Sequence, residues 1–88
     1  MTTREKINSA ENISDSKKND LLYKLNALEQ SGINTIPVRL NAPVDSAAYY
    51  YGREAEMEID HAMKIMLGFP GSAKHREFFQ KMHNSKQK

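Results

Sequence analysis

The stretch INTIPVRLN, residues 33–41, governs how the rest of this chain is read. Helical signals flank it on both sides. Within it, Ile36, Val38 and Leu40 alternate with Pro37, Arg39 and Asn41, the period of two that separates the faces of a strand. The alternation predicts a short extended segment over about 34–41. Pro37 has no N–H to give to a ladder, so the segment is either an edge strand or an extended linker whose three aliphatic side chains cover the helices.

Upstream, Leu21, Leu25 and Leu28 fall at i, i+4 and i+7, with Leu22 beside them and Gly32 placed for a left-handed C-terminal cap. That spacing predicts a helix over about 16–30. Residues 1–13 are polar apart from Ile7, Ala10 and Ile13, and Thr2 with Glu5 three positions on has the arrangement of a capping box. They are expected to form a flexible or weakly helical arm. Downstream, Pro43 precedes Asp45 or Ser46 as N-cap, and Gly68 with Pro70 just beyond closes a long helical pattern. Within it Ala48, Gly52, Ala55, Ile59, Ala62 and Met66 form a heptad seam of mostly small residues. Small side chains let helix backbones approach closely, so the seam is expected to meet the Leu21 helix or the same helix of a second chain. Gly52 costs about 1 kcal/mol in a helix interior, so it marks close packing or divides the span into two helices. Gly71-Ser72 supplies a turn and an N-cap for a last helix from about Ala73 to His83. The fold class expected is mainly α: a small helical domain of three to four helices over 14–84, with one short extended segment, an arm over 1–13 and a frayed tail over 85–88.

Eighty-eight residues make one small domain, and a homodimer is the expected way to enlarge its core. The chain has no cysteine, which excludes a disulfide framework and a thiolate metal site. No apolar run approaches the eighteen or so residues that cross a membrane, and the N-terminus lacks the apolar stretch of a signal peptide, so a cytoplasmic protein with no membrane partner is expected. The net charge of +2 is weak, but it is unevenly spread: residues 41–73 carry −3 and residues 74–88 carry +4.

Signatures of reaction chemistry are missing from the sequence. His61, His75 and His83 include no i, i+4 pair, so no metal site is expected. There is no Gly-x-Ser-x-Gly elbow, no cysteine nucleophile and no glycine-rich phosphate loop. Glu54, Glu56, Glu58 and Asp60 alternate in sequence, which on a helix scatters them and reads as a solvated acidic face. The expectation is therefore a protein that is not an enzyme, with no cofactor and no small-molecule substrate.

Binding is the chemistry left. Tyr49, Tyr50 and Tyr51 point about 100° apart on a helix and cannot share one buried face, so at least one is exposed and available to a protein partner; a rim of the core is the plainer use of the others. Lys74, Arg76 and Lys81 lie among Phe78 and Phe79 in the basic terminal helix, where they either contact phosphates or complement the helix dipole.

IPVRLN, followed by a helix and then by GREAEMEIDHAMKIML, resembles the order of parts in ribbon-helix-helix DNA-binding proteins over roughly residues 34–67. The resemblance implies a strand that pairs with its twin in a dimer, with Thr35, Arg39 and Asn41 facing the DNA major groove. It also implies a turn at Gly52-Arg53 and a second helix whose Ile59, Ala62, Met63 and Met66 complete the dimer core. Two functions are thus expected in competition: a dimeric DNA-binding regulator, or a helical protein-protein interaction module acting as inhibitor or adaptor through its tyrosines and small-residue seam.

Overall fold

The computed structural model describes residues 1–41, 43–69 and 71–86 of the chain. Four helices follow one another: α1 (Thr3–Ser9), α2 (Asp15–Gln30), α3 (Ala47–Leu67) and α4 (Ala73–Lys86). A single 3-10 turn, Val44–Ser46, leads into α3. The architecture is mainly helical. No helix among the described residues is long and apolar enough to cross a membrane.

Side-chain caps open α1, α2 and α4, whereas Ser46 at the start of α3 makes no cap bond. The Thr2 hydroxyl accepts the Glu5 backbone N–H while the Thr2 backbone N–H donates to the Glu5 carboxylate, a complete capping box for α1. Ser14 caps α2 by accepting the Lys17 N–H at 3.1 Å. At its other end Gly32 takes φ +77°, and the Ile33 and Gly32 amides donate to the Leu28 and Glu29 carbonyls at 2.9 and 3.0 Å. Those paired bonds make the double-bonded left-handed cap that only glycine adopts without strain. Ser72 opens α4, accepting from the His75 N–H and donating to the Leu67 carbonyl.

The seam faces inward. Gly52, Ala55, Ile59 and Ala62 are buried, and they pack against α1 and α2 together with Ile7, Leu21, Leu25 and Leu28. Residues 47–67 form one continuous helix, and Gly52 marks a close approach within it. A Cβ there would lie 2.8 Å from Cγ2 of Ile13 and 3.6 Å from Cβ of Ala10. The Glu11 N–H also donates to the Ala48 carbonyl at 3.0 Å, so the α1–α2 connection lies directly on the first turns of α3.

Three expectations need correction. The first residues are no arm beside the domain: Ile7 is completely buried, and α1 is a main packing partner of α3. A seven-residue helix is too short to persist alone, so its capping box and this burial hold it together. Of the two forms expected for residues 33–41, the linker holds and the edge strand does not. Their three aliphatics do not all cover the helices, however, because Ile36 is 53% exposed while Val38 and Leu40 are half-buried. The helix expected to end near His83 runs on to Lys86, and the rest of the frayed tail lies outside the described residues.

Candidate functional site

Two surfaces deserve comparison as sites, and one buried network decides the shape of the first. Lys6 of α1 and Glu58 and Glu54 of α3 are 4%, 1% and 7% exposed, which corrects the solvated acidic face expected from the alternating carboxylates. Residues 54 and 58 are one helical turn apart and share a face; only Glu56 and Asp60 reach the outer side. The three N–H bonds of the Lys6 ammonium are all used, to Glu58 Oε2 at 2.7 Å, Glu54 Oε1 at 3.0 Å and the Val38 carbonyl at 2.8 Å. Both remaining carboxylate oxygens are also satisfied, Glu58 Oε1 by the Thr3 hydroxyl at 2.8 Å and Glu54 Oε2 by the Leu40 N–H at 3.2 Å. Thr3 gives its hydrogen to Glu58, so in the 2.6 Å contact between the Thr3 and Thr35 hydroxyls Thr35 is the donor.

Satisfaction of every donor and acceptor is what makes this burial tolerable. Burial alone pushes the Lys6 ammonium toward neutrality, but the hydrogen bonds and charges of Glu58 and Glu54 together outweigh it and hold the lysine above its ordinary value. The network also explains INTIPVRLN. Thr35, Val38 and Leu40 are each tied to it, so the segment is fixed without any ladder. Arg39 lies between the two clamped peptide groups and is exposed, as is Asn41. Thr35, by contrast, is half-buried and engaged internally.

The second surface is the outer side of α3. Met57, Ile65 and Phe69 are 36%, 63% and 75% exposed, and His61 between them is exposed as well. Met57, His61 and Ile65 follow the i, i+4, i+8 row that forms a ridge on a helix, and Phe69 comes just past its end. Near the start of α3, Tyr49 is 56% exposed and stands edge-on to Tyr50 at 5.3 Å between ring centroids; Tyr50 and Tyr51 are half-buried. The sequence expectation of at least one exposed tyrosine falls on Tyr49.

Lys74, Arg76 and Lys81 are exposed on α4. That helix is seated by Phe78 against Tyr23 of α2, with centroids 5.9 Å apart, and by Lys24, whose ammonium stands 5.5 Å over the Phe79 ring. Among the described residues, no hydrogen bond or ion pair joins these cations to Arg39 or Asn41. Gly52 and Arg53, the turn implied by the ribbon-helix-helix resemblance, lie inside α3. Sequence reasoning gives no role to Lys6 or to Met57, Ile65 and Phe69 as a surface, and it sets Glu54 and Glu58 on the solvated face instead of in the network. The i, i+4 spacing was the available signal for Glu54 and Glu58 and for the row of Met57, His61 and Ile65.

No protein family model matches the chain, and no curated protein or solved structure does so either.

Proposed function

We propose that this protein is a small helical protein-protein interaction module that presents the outer face of α3 to its partner. The observation that supports this reading is the exposure of Met57 and Ile65 on α3, with Tyr49 near its start and Phe69 just past its end. The seam of small residues is consumed inside the fold, so the binding surface moves to the opposite side of the helix. Large side chains in this position add nothing to the core, and a partner that removed them from water would gain the burial they lack, about 25 cal/mol for each Å² covered. Ile65→Asp with Phe69→Asp should keep the urea midpoint of the wild type and release proteins captured from extract of the native cell. Retention of the same proteins by wild type and variant would overturn the reading.

DNA binding is the second reading, supported by the exposure of Arg39 on a segment clamped from beneath. A side chain presented by a fixed backbone loses less freedom when it meets a base edge. Lys74, Arg76 and Lys81 would hold phosphates. Titration of a random pool of labelled duplex at two salt concentrations tests it: retention that weakens with salt supports it, and no retention at low ionic strength removes it.

A further inference from the structure

We infer that the partner for the outer face of α3 is a second copy of this chain, docked antiparallel about a two-fold axis that passes beside Met57. The inference rests on reading that face as a binding surface and names its occupant. Its ground is a self-complementary charge pattern. Viewed down α3, Tyr50, Arg53, Met57, Asp60, His61 and Lys64 all lie within about 60° of one line, since successive residues turn by roughly 100°. All are exposed except Tyr50, which is half-buried.

In an antiparallel pair centred on Met57, a residue a given number of places before the centre meets one a similar number after it on the other copy. Arg53 is four residues before Met57 and Asp60 is three after, and both fall on the same side of the line. Each copy's Arg53 therefore meets the other's Asp60, forming two equivalent ion pairs. Tyr50 is seven before and Lys64 seven after, so each tyrosine ring falls over the stem of the other copy's Lys64. Met57 packs on its own counterpart at the centre. A parallel pairing in register would place the Arg53 and Asp60 of the two copies on opposite flanks of the contact and at different heights, so neither ion pair would form; the antiparallel arrangement alone brings them together. An isologous contact of this kind closes on itself as a dimer and leaves no open end.

The charges needed are available. Asp60 has no hydrogen-bond or ion-pair partner among the described residues. Arg53 reaches only Glu56, at 3.4 Å within its own helix, and Glu56 already pairs with Lys17 at 3.1 Å. Tyr49, Ile65 and Phe69 flank the pairing and can be partly covered at its rim. Residues 50–64 give a contact about 22 Å long, which places the buried area near or below about 1,000 Å², the size of a weak, concentration-dependent association.

Sedimentation equilibrium of the full chain tests the proposal. From about 10 µM to about 1 mM at low salt, the average mass of the wild type should rise from the 10.1 kDa of one chain toward twice that value. Arg53→Asp alone and Asp60→Arg alone should each stay at the mass of one chain over the same range, because each sets like charges opposite one another. An equimolar mixture of these two variants should regain the wild-type behaviour, since only the mixed dimer restores both attractive pairs. Circular dichroism should show the same helicity for all samples, because both side chains are exposed. A wild type that remains monomeric at about 1 mM overturns the proposal. A wild type that dimerises while the mixture does not overturns it too, and assigns the dimer to another surface. A monomeric wild type whose captured proteins are still released by Ile65→Asp with Phe69→Asp removes the second copy as partner but keeps the binding face, so the two readings fail separately.

Discussion

Segment 33–41 and helix α4 are held to the molecule in opposite ways. The segment has no regular secondary structure, yet its Thr35 hydroxyl bonds to the buried Thr3, and a carbonyl and an amide of it are tied to the buried charged groups of Lys6 and Glu54. Helix α4 is a regular helix of fourteen residues, yet among the described residues it lends the core one partly buried ring, Phe78, beside the surface contact of Lys24 with Phe79. Regularity and integration are therefore separate properties. A helix satisfies its own backbone and needs the rest of the protein little; an irregular segment must find partners for its peptide groups elsewhere, and here it finds them in Lys6 and Glu54.

The largest effect should come from breaking the network under the segment. Glu58→Gln keeps the shape of the side chain but leaves Lys6 with one carboxylate in a buried site, and should lower stability by about 3 kcal/mol in urea unfolding. Replacing all three charged members by apolar residues (Lys6→Met, Glu54→Leu and Glu58→Leu) should recover much of that loss, because no charge is then left uncompensated. It should still release the segment, seen as fast exchange of the Leu40 amide, since the Val38 carbonyl and Leu40 N–H lose their partners. A triple variant with a protected Leu40 amide would mean that the segment is held by its aliphatic side chains alone. The alkaline limb of the stability curve reads the same network. Lys6 is held above its ordinary value of 10.5, so its contribution is complete below that pH and is lost as pH climbs through the higher folded value. The triple variant should lack that limb.

Much of this architecture is legible in the sequence because it depends on local chemistry. Thr2 with Glu5, Gly32 after Leu28, and Ser72 before Ala73 each mark a helix end through bonds made within a few residues. The spacing of Ala55, Ile59 and Ala62 likewise identifies a buried face. The network was not legible for a different reason. Its members lie 52 residues apart in the case of Lys6 and Glu58 and 32 in the case of Thr3 and Thr35, and nothing in either neighbourhood names the other. Period-two alternation in 33–41 leaves strand and linker open, and the choice is made from a distance: Lys6 and Glu54 take the Val38 carbonyl and the Leu40 amide, so no ladder is needed. On the outer face of α3 the residue types were visible, but a mixed, exposed surface looks like any solvated helix until the inner face has been fixed by structure.

The smaller effect falls on the other side of the comparison. Phe78→Ala removes a ring that is only partly buried, so its cost should be near 1 kcal/mol, below the value for a fully buried aromatic. What changes is where that cost appears. Without Phe78 against Tyr23, the main anchor of α4 is gone, and a fourteen-residue helix with three Lys and two His is marginal in water by itself. The amides of α4 should then exchange quickly and the helical signal should fall, while the amides of Leu25 and Leu28 keep their protection, because their cover comes from α1 and α3. Hydrogen exchange followed residue by residue separates the outcomes. Protection lost in α4 alone means that it is a separately melting unit docked on the domain, consistent with low-energy local opening. Protection lost equally at Leu25 and Leu28 means that α4 belongs to the cooperative core after all, and the contrast between a loosely seated helix and a firmly tied loop fails.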